Sequence, residues 1–174
     1  AYAELKPENG AYYDGVLEIE LDKIKPMIAM PFHPSNAYTI EELQANLMDI
    51  STIGTMFDKV ESELGAVDLL VNNAGITDKA LFLDTDEELF EKIYRVDVKA
   101  AFFCMQNACK QMIKHNKKGN IVAISSNHYK AHFAQVTVYG TMKAALNKMV
   151  EHVAVEMAKY GIRANIISPG WVDT

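Results

Sequence analysis

From residue 49 onward, apolar and polar positions alternate between a helical and an extended period. Ile53, Met56, Phe57, Val60 and Leu64 recur at helical spacing up to Gly65, which predicts an amphipathic helix. The short apolar run 67–71 that follows suits a buried parallel strand. Thr85 and Glu88 form a capping-box pair that opens a long helical stretch through Phe90, Ile93, Tyr94 and Phe102 to about residue 114. Lys117, Lys118 and Gly119 close that stretch, and 121–124 reads as the next strand. A polar and aromatic loop over 127–137 leads into a helix carrying Met142, Leu146, Met149, Val150, Val153 and Met157, stopped by Gly161. Residues 162–167 form a third strand pattern. Strands separated by helices of this length predict right-handed βαβ crossovers and an α/β fold, a parallel sheet with helices on both faces.

Residues 1–48 hold neither period for long. Pro7, Asn9-Gly10 and Asp14-Gly15 punctuate the start, and 16–21 partly alternates like a half-buried strand. Pro26, Pro31 and Pro34 lock φ and remove three backbone donors, which excludes a regular helix or central strand over 26–34. Thr39-Ile40-Glu41-Glu42 reads as a capped helix start. The change of pattern divides the chain into 1–48, of undefined fold, and 49–174.

Composition narrows the classes of function. The chain has 174 residues, 49% hydrophobic and 23% charged, which fits a globular protein and not a disordered one. The net charge of −6 is concentrated at the start, where residues 1–48 carry three lysines against eight carboxylates. With no stripe of Lys or Arg, nucleic acid and anionic membrane are excluded as partners in favour of small molecules. Cys104 and Cys109 sit five apart in a helical pattern, a spacing that suits buried free thiols better than a disulfide framework or a zinc site. No charged start with an apolar stretch follows Ala1, and no run reaches the roughly 20 apolar residues of a spanning helix. This places the chain in the cytoplasm.

The candidate chemistry lies at the strand ends. Tyr139 and Lys143 are i and i+4 on one predicted helix and share a face. A phenol, with a reference pKa of about 10, is a poor base at neutral pH. An ammonium beside it stabilises phenolate and makes it a usable proton donor and acceptor for an alcohol/ketone pair. Ser126, just past a strand, can hydrogen-bond the same substrate oxygen. A Tyr-x-x-x-Lys pair alone is more often a solvated helix face. Here it accompanies Asn72-Asn73-Ala74-Gly75, Ser125-Ser126 and Ser168-Pro169-Gly170, each at the carboxyl end of a predicted strand, where open α/β sheets bind ligands.

With these motifs in order, residues 49–174 resemble the short-chain dehydrogenase/reductase family. The resemblance implies a Rossmann-like, doubly wound parallel fold and hydride transfer between NAD or NADP and a secondary alcohol or ketone. It makes Tyr139 the general acid/base, Ser126 the partner of the substrate oxygen, and Lys143 the ligand of the nicotinamide ribose. It places Asp49 by the adenine, Asn73, Ala74 and Gly75 by the adenosine ribose, Asn72 among the cofactor-binding residues, and Pro169, Gly170 and Thr174 near the nicotinamide. Where the family usually has Asn in its long helix, feeding a water-linked proton relay, this sequence has Asp97, which can accept from water or from Lys143. The alternative for Asp97 is a solvated helix acid.

The family's Gly-rich first turn, which binds pyrophosphate, is formed by none of the nine glycines, nor is there a residue choosing NAD or NADP. By this resemblance the chain holds roughly the middle half of the family fold, without its first βαβ unit, and on its own should hold a nicotinamide cofactor weakly or not at all. Residues 11–46 resemble a segment of the aconitases and related hydratases through Tyr12-Tyr13-Asp14 and Lys25-Pro26-Met27-Ile28, without that family's cysteine cluster. The meeting of the two near 46–49 reads as a fusion, a graft or a composite.

His128 and His132, with Tyr129 between them, have a spacing that would bind metal only on a helix. Through the resemblance these three and Trp171 line a substrate pocket, and no metal is expected. His33 reads as structural. The helices near 102–112 and 142–157 carry more apolar surface than one sheet covers, and in the family such helices pair across a two-fold axis. A homodimer or homotetramer burying Phe103, Met149 or Val153 is expected. Two other classes of function stay open: a silent scaffold, which would bind no cofactor, and a hydro-lyase, which would need an iron–sulfur cluster.

Overall fold

The computed structural model describes residues 46–171 throughout and the backbone of 27–29 and 37–39. The strand expected over 16–21, the helix expected to follow Thr39, the aconitase-like stretch apart from those two segments, His33 and Thr174 lie outside the described residues. Strands β1 (Met27–Ala29) and β2 (Ala37–Thr39) pair antiparallel, Ile28 opposite Tyr38.

Helix α1 (Ser51–Leu64) buries Ile53, Met56, Phe57 and Val60, the stripe its periodicity predicts, and stops at Gly65 with φ 88°, a conformation glycine adopts without steric cost. Strand β3 is Leu69–Asn72, two residues later than the apolar run suggests. Helix α2 (Glu87–Tyr94) follows, capped by Asp86, whose carboxylate accepts from the Leu89 amide at 2.8 Å, and not by the expected Thr85. A 3₁₀ turn at Phe82–Asp84 explains the shift: it engages the Thr85 hydroxyl, which donates to the Leu81 carbonyl, so the helix begins one residue on. Nor is the long helix uniform. A π-helical segment, Arg95–Ala100, separates α2 from α3 (Ala101–Lys114).

Strand β4 (Asn120–Ile124), helix α4 (Thr137–Met157) and strand β5 (Arg163–Ile167) complete the body. The sheet is parallel in the order β3-β4-β5, with Leu70 beside Ile121 and Ile121 beside Ala164. This is the expected Rossmann-like α/β fold.

One expectation fails: among the described residues, the helices α1, α3 and α4 pack as one core on a single face of the sheet, around Ile121 and Ala123 with Leu70, Ala164 and Ile166. The opposite face leaves Leu69, Val71 and Ile167 each at least 50% exposed. Handedness accounts for it. Two right-handed crossovers stepping the same way along β3-β4-β5 must put both connecting helices on the same side. For the same reason β3 is half-buried on alternate residues only. Cys104 and Cys109 are buried free thiols on α3, and burial pushes the Cys104 thiol up to about 11. No helix among the described residues is long and apolar enough to cross a membrane.

Candidate active site

The carboxyl ends of the three strands bring the predicted side chains together. β3 ends at Asn72, β4 runs into Ser125 and Ser126, and β5 into Ser168, Pro169 and Gly170. The Ser125 amide donates to the Ile167 carbonyl at 2.8 Å and the Asn127 amide to the Pro169 carbonyl at 2.9 Å, so the loops after β4 and β5 are stitched to each other. The loop after β3 is held at its far end, where the Ala80 amide donates to the Gln135 carbonyl just before α4.

Helix α4 sets Tyr139 and Lys143 on one face. Lys143 is only 3% exposed, and its Nζ lies 5.4 Å from the centre of the Tyr139 ring, within the range of a cation–π contact. That Nζ donates to the Ile124 carbonyl at 3.2 Å, at the end of β4. It also lies 3.2 Å from Asp97 Oδ2, in an ion pair whose angle falls outside hydrogen-bonding geometry. An ammonium has three hydrogens and the Ile124 bond uses one, so two remain beside Asp97 and the cleft that Lys143 lines. The Ser125 hydroxyl donates to the Lys143 carbonyl at 3.3 Å, tying the helix to the strand end.

Asp97 is not a solvated helix acid. It comes from the π segment and is 1% exposed, and its Oδ1 accepts from the Ile76 amide at 2.8 Å. Burial pushes its pKa above the usual carboxylate value, against the opposing pull of the Ile76 amide and the Lys143 ammonium. Gly75 leans on this pair: a Cβ there would meet Lys143 Nζ at 2.9 Å and Asp97 Oδ2 at 3.3 Å. The glycine of the Asn-Asn-Ala-Gly turn thus leaves room for the buried pair.

Asn73, Gly75, Ile76 and Thr77 line one side of a cleft of about 150 Å³, and Ile124, Ser125, Tyr139 and Lys143 the other. Asn72 turns from it, donating to the Ala101 carbonyl at 3.2 Å, where the π segment gives way to α3. Ala74, like Gly170, is exposed. Asp49 stands at the start of α1, where its carboxylate accepts from the Ser51 amide and hydroxyl, and those bonds hold its pKa below the usual value.

A second cavity, about 410 Å³, lies between the loop after β4 and the face of α4 formed by Thr137, Gly140 and Thr141. His128, Tyr129, His132 and Phe133 line it, which gathers three of the four residues expected around a substrate. Trp171 is 86% exposed and joins them through edge contacts, its ring centre 6.4 Å from His128 and 6.2 Å from Phe133. His128 links the two cavities, with its ring edge-on to Tyr139 at 5.5 Å. Ser126 lines neither: it is buried, with its Oγ 2.9 Å from His128 Nδ1. Among the described residues no three His, Cys, Asp or Glu side chains could hold a metal ion.

Sequence reasoning gave Ser125 no role beyond its place in the Ser125-Ser126 turn and missed Ile76, Thr77 and Phe133. Ile76 and Thr77 directly follow the Asn-Asn-Ala-Gly turn, and that adjacency was the available signal. Phe133 carried none beyond its place in an aromatic loop.

Comparison with known proteins returns the short chain dehydrogenase family over residues 29–174. The match begins within the stretch that composition sets apart as 1–48. Uncharacterized oxidoreductase YohF of Escherichia coli (strain K12) is 34% identical over 140 residues, covering 80% of this chain and 55% of that protein. Galactitol 2-dehydrogenase of Agrobacterium fabrum is 32% identical, covering 75% of this chain and 51% of its own length. The solved structure of ElxO with NADP bound superimposes with a TM-score of 0.71 at 33% identity, over 75% of this chain and 52% of that one. The chain therefore spans about half the length of the curated relatives it matches.

Proposed function

The chain belongs to the short-chain dehydrogenase family, and we propose that its strand-end cluster serves hydride transfer between NAD or NADP and a secondary alcohol or ketone. The observation that carries this reading is the buried Lys143 ammonium beneath the Tyr139 ring, both lining one cleft opposite the turn after β3. A buried cation at this place offsets negative charge arising on the phenol oxygen while its proton passes to or from the substrate. Tyr139 is then the general acid/base, giving its proton to the carbonyl oxygen in reduction and taking it back in oxidation. Ser126 donates a hydrogen bond to the same oxygen.

The cleft lies between the groups this reading gives to the two riboses of such a cofactor. The exposed turn 73–75 offers backbone and the Asn73 side chain on one wall, and on the other Lys143 keeps donor hydrogens beyond its bond to Ile124. In this assignment Tyr139 and Lys143 hold the nicotinamide ribose, and Asn73, Ala74 and Gly75 the adenosine ribose. Pro169, Gly170 and Thr174 flank the nicotinamide, and Asp49 flanks the adenine. Asn72, committed to the Ala101 carbonyl, positions the turn instead of touching the cofactor. When bound, the nicotinamide accepts or delivers hydride at its C4 carbon, and the protein supplies orientation and the proton.

Asp97 acts behind this site: its carboxylate holds the Ile76 amide and the Lys143 ammonium in one place. The substrate is a small molecule with a secondary hydroxyl or keto group, received between the aromatic loop of His128, Tyr129 and His132 and the exposed Trp171. Galactitol 2-dehydrogenase is named for chemistry at such a secondary carbon. The protein should work as a homodimer or homotetramer, since α3 and α4 leave Phe102 exposed and Phe103, Met149 and Val153 half-covered.

The test is label transfer. NADH and NADPH, each deuterated at C4, are offered to the protein with a panel of ketones. Deuterium on the carbinol carbon supports the reading. Its absence with both cofactors, from protein shown to be folded and to bind at least one of them, contradicts it.

A further inference from the structure

His128 stands where the proposed chemistry needs control over a single hydrogen. Ser126 has one hydroxyl hydrogen, and a carbonyl oxygen can only accept, so Ser126 assists ketone reduction only if that hydrogen is free to leave its present partner. Three groups compete around it. The Ser126 oxygen accepts from the His128 amide at 3.3 Å, the capping bond of the 3₁₀ turn Asn127–Tyr129. His128 Nδ1 lies 2.9 Å from the same oxygen. The hydroxyl itself points to Asn127 Oδ1 at 3.4 Å, a long bond.

Which way the Ser126–His128 bond runs is decided by a fourth contact. His128 Nδ1 is also 3.0 Å from Asn127 Oδ1, and an amide oxygen only accepts. A bare Nδ1 would set two lone pairs against each other at that distance, whereas a hydrogen on Nδ1 is shared between Asn127 Oδ1 and Ser126 Oγ. With Nδ1–H and the His128 amide both donating, the two lone pairs of the Ser126 oxygen are taken. Its hydrogen is then left on its weakest bond, to Asn127. The ring has little freedom to turn away, since it packs on Phe133 at 4.7 Å and edge-on against Tyr139 at 5.5 Å.

We propose that His128 is a positioning residue: held as the Nδ1–H tautomer by Asn127, it fixes Ser126 as a hydrogen-bond donor toward the substrate oxygen. The Ser126 hydrogen moves from Asn127 to the incoming carbonyl oxygen as a change of hydrogen-bond partner, and no covalent bond is made or broken. This favours carbonyl substrates at Ser126, because the opposite tautomer would draw the serine hydrogen onto the imidazole. The inference rests on the reading of Ser126 as the partner of the substrate oxygen.

The first test needs no turnover. In protein labelled with ¹⁵N-histidine at about pH 8, where an imidazole is neutral, long-range ¹H–¹⁵N correlation is assigned to His128 by the signals missing in His128→Gln. A protonated Nδ1 and a bare Nε2 are expected, and Asn127→Ala should mix the two tautomers. A protonated Nε2 with a bare Nδ1 in the wild-type protein overturns the proposal.

The second test is kinetic. His128→Phe keeps the ring packing and removes the donor, and should lower kcat for ketone reduction by about ten- to a hundredfold, less than full loss of an oxyanion donor costs. His128→Asn, whose amide hydrogen replaces Nδ1–H, should recover part of that loss. In a Ser126→Ala background the His128→Phe effect should vanish. Full kcat in His128→Phe, or an undiminished effect without Ser126, overturns the proposal. A protein that transfers no hydride yet shows the Nδ1–H tautomer would instead contradict the dehydrogenase reading.

Discussion

Replacing Lys143 with Met should reveal how the site pays for its buried charges. The perturbation removes the ammonium while keeping the length and most of the volume of the side chain. Asp97, 1% exposed, then loses the partner 3.2 Å away and keeps only the Ile76 amide. Two unit charges at that separation attract by about 5 kcal/mol at an effective dielectric of about 20. Removing one partner of a buried pair typically costs about 3–5 kcal/mol. Against a total stability of about 5–15 kcal/mol, such a loss is easily measured by urea denaturation followed by circular dichroism.

The sign of its pH dependence follows from Asp97. Burial already raises its folded pKa above the unfolded value, so between those two values the folded state holds more protons than the unfolded one. Stability therefore falls as pH rises through that window and levels off above it. Without Lys143 the folded value climbs further and the fall is deeper and extends to higher pH. The cost of Lys143→Met should thus be about 3–5 kcal/mol near pH 8 and smaller near pH 5, because acid favours the neutral carboxyl that burial of Asp97 already favours. A loss under about 1 kcal/mol at pH 8, or one of the same size at both pH values, would refute this picture of a stabilising buried pair.

Gly75→Ala forces a methyl group to 2.9 Å from an Nζ already engaged by Ile124 and Asp97, so it should destabilise by about 1–3 kcal/mol in the same denaturation assay; an unchanged midpoint would show that Lys143 yields freely. Multi-angle light scattering should give twice or four times the chain mass. Adding a charge at the half-covered Val153 as Val153→Glu should shift that mass toward the monomer, and a wild-type monomer at high concentration would contradict the proposed assembly.

Much of the fold was legible because burial leaves a period in the sequence. The stripe Ile53, Met56, Phe57 and Val60 gave α1, and the i, i+4 relation of Tyr139 and Lys143 survives unchanged on α4. The inward setting of Asp97 was legible too, since it stands four residues after Ile93 and four before Ala101, both on the buried stripe. The π segment itself has no such signature, because Arg95–Ala100 contains no proline or glycine to break the helix. The one-sided sheet follows from strand order, which local pattern does not encode. The cap at Asp86 depended on a 3₁₀ turn whose exposed Phe82 and Leu83 follow no period. The contact of His128 with Ser126 arises only because a tight turn folds residue i+2 back onto residue i.

The central claim is that Tyr139 moves the proton that accompanies hydride transfer, and the most direct measurement compares wild type with Tyr139→Phe in the deuteride-transfer assay, with cofactor binding measured in parallel. Loss of a positioned acid/base group should lower turnover by about 10²–10⁴-fold while leaving cofactor affinity within a fewfold, because the phenol acts on the substrate's proton and Lys143 remains to hold the ribose. A Tyr139→Phe protein that transfers deuterium at the wild-type rate would contradict the claim.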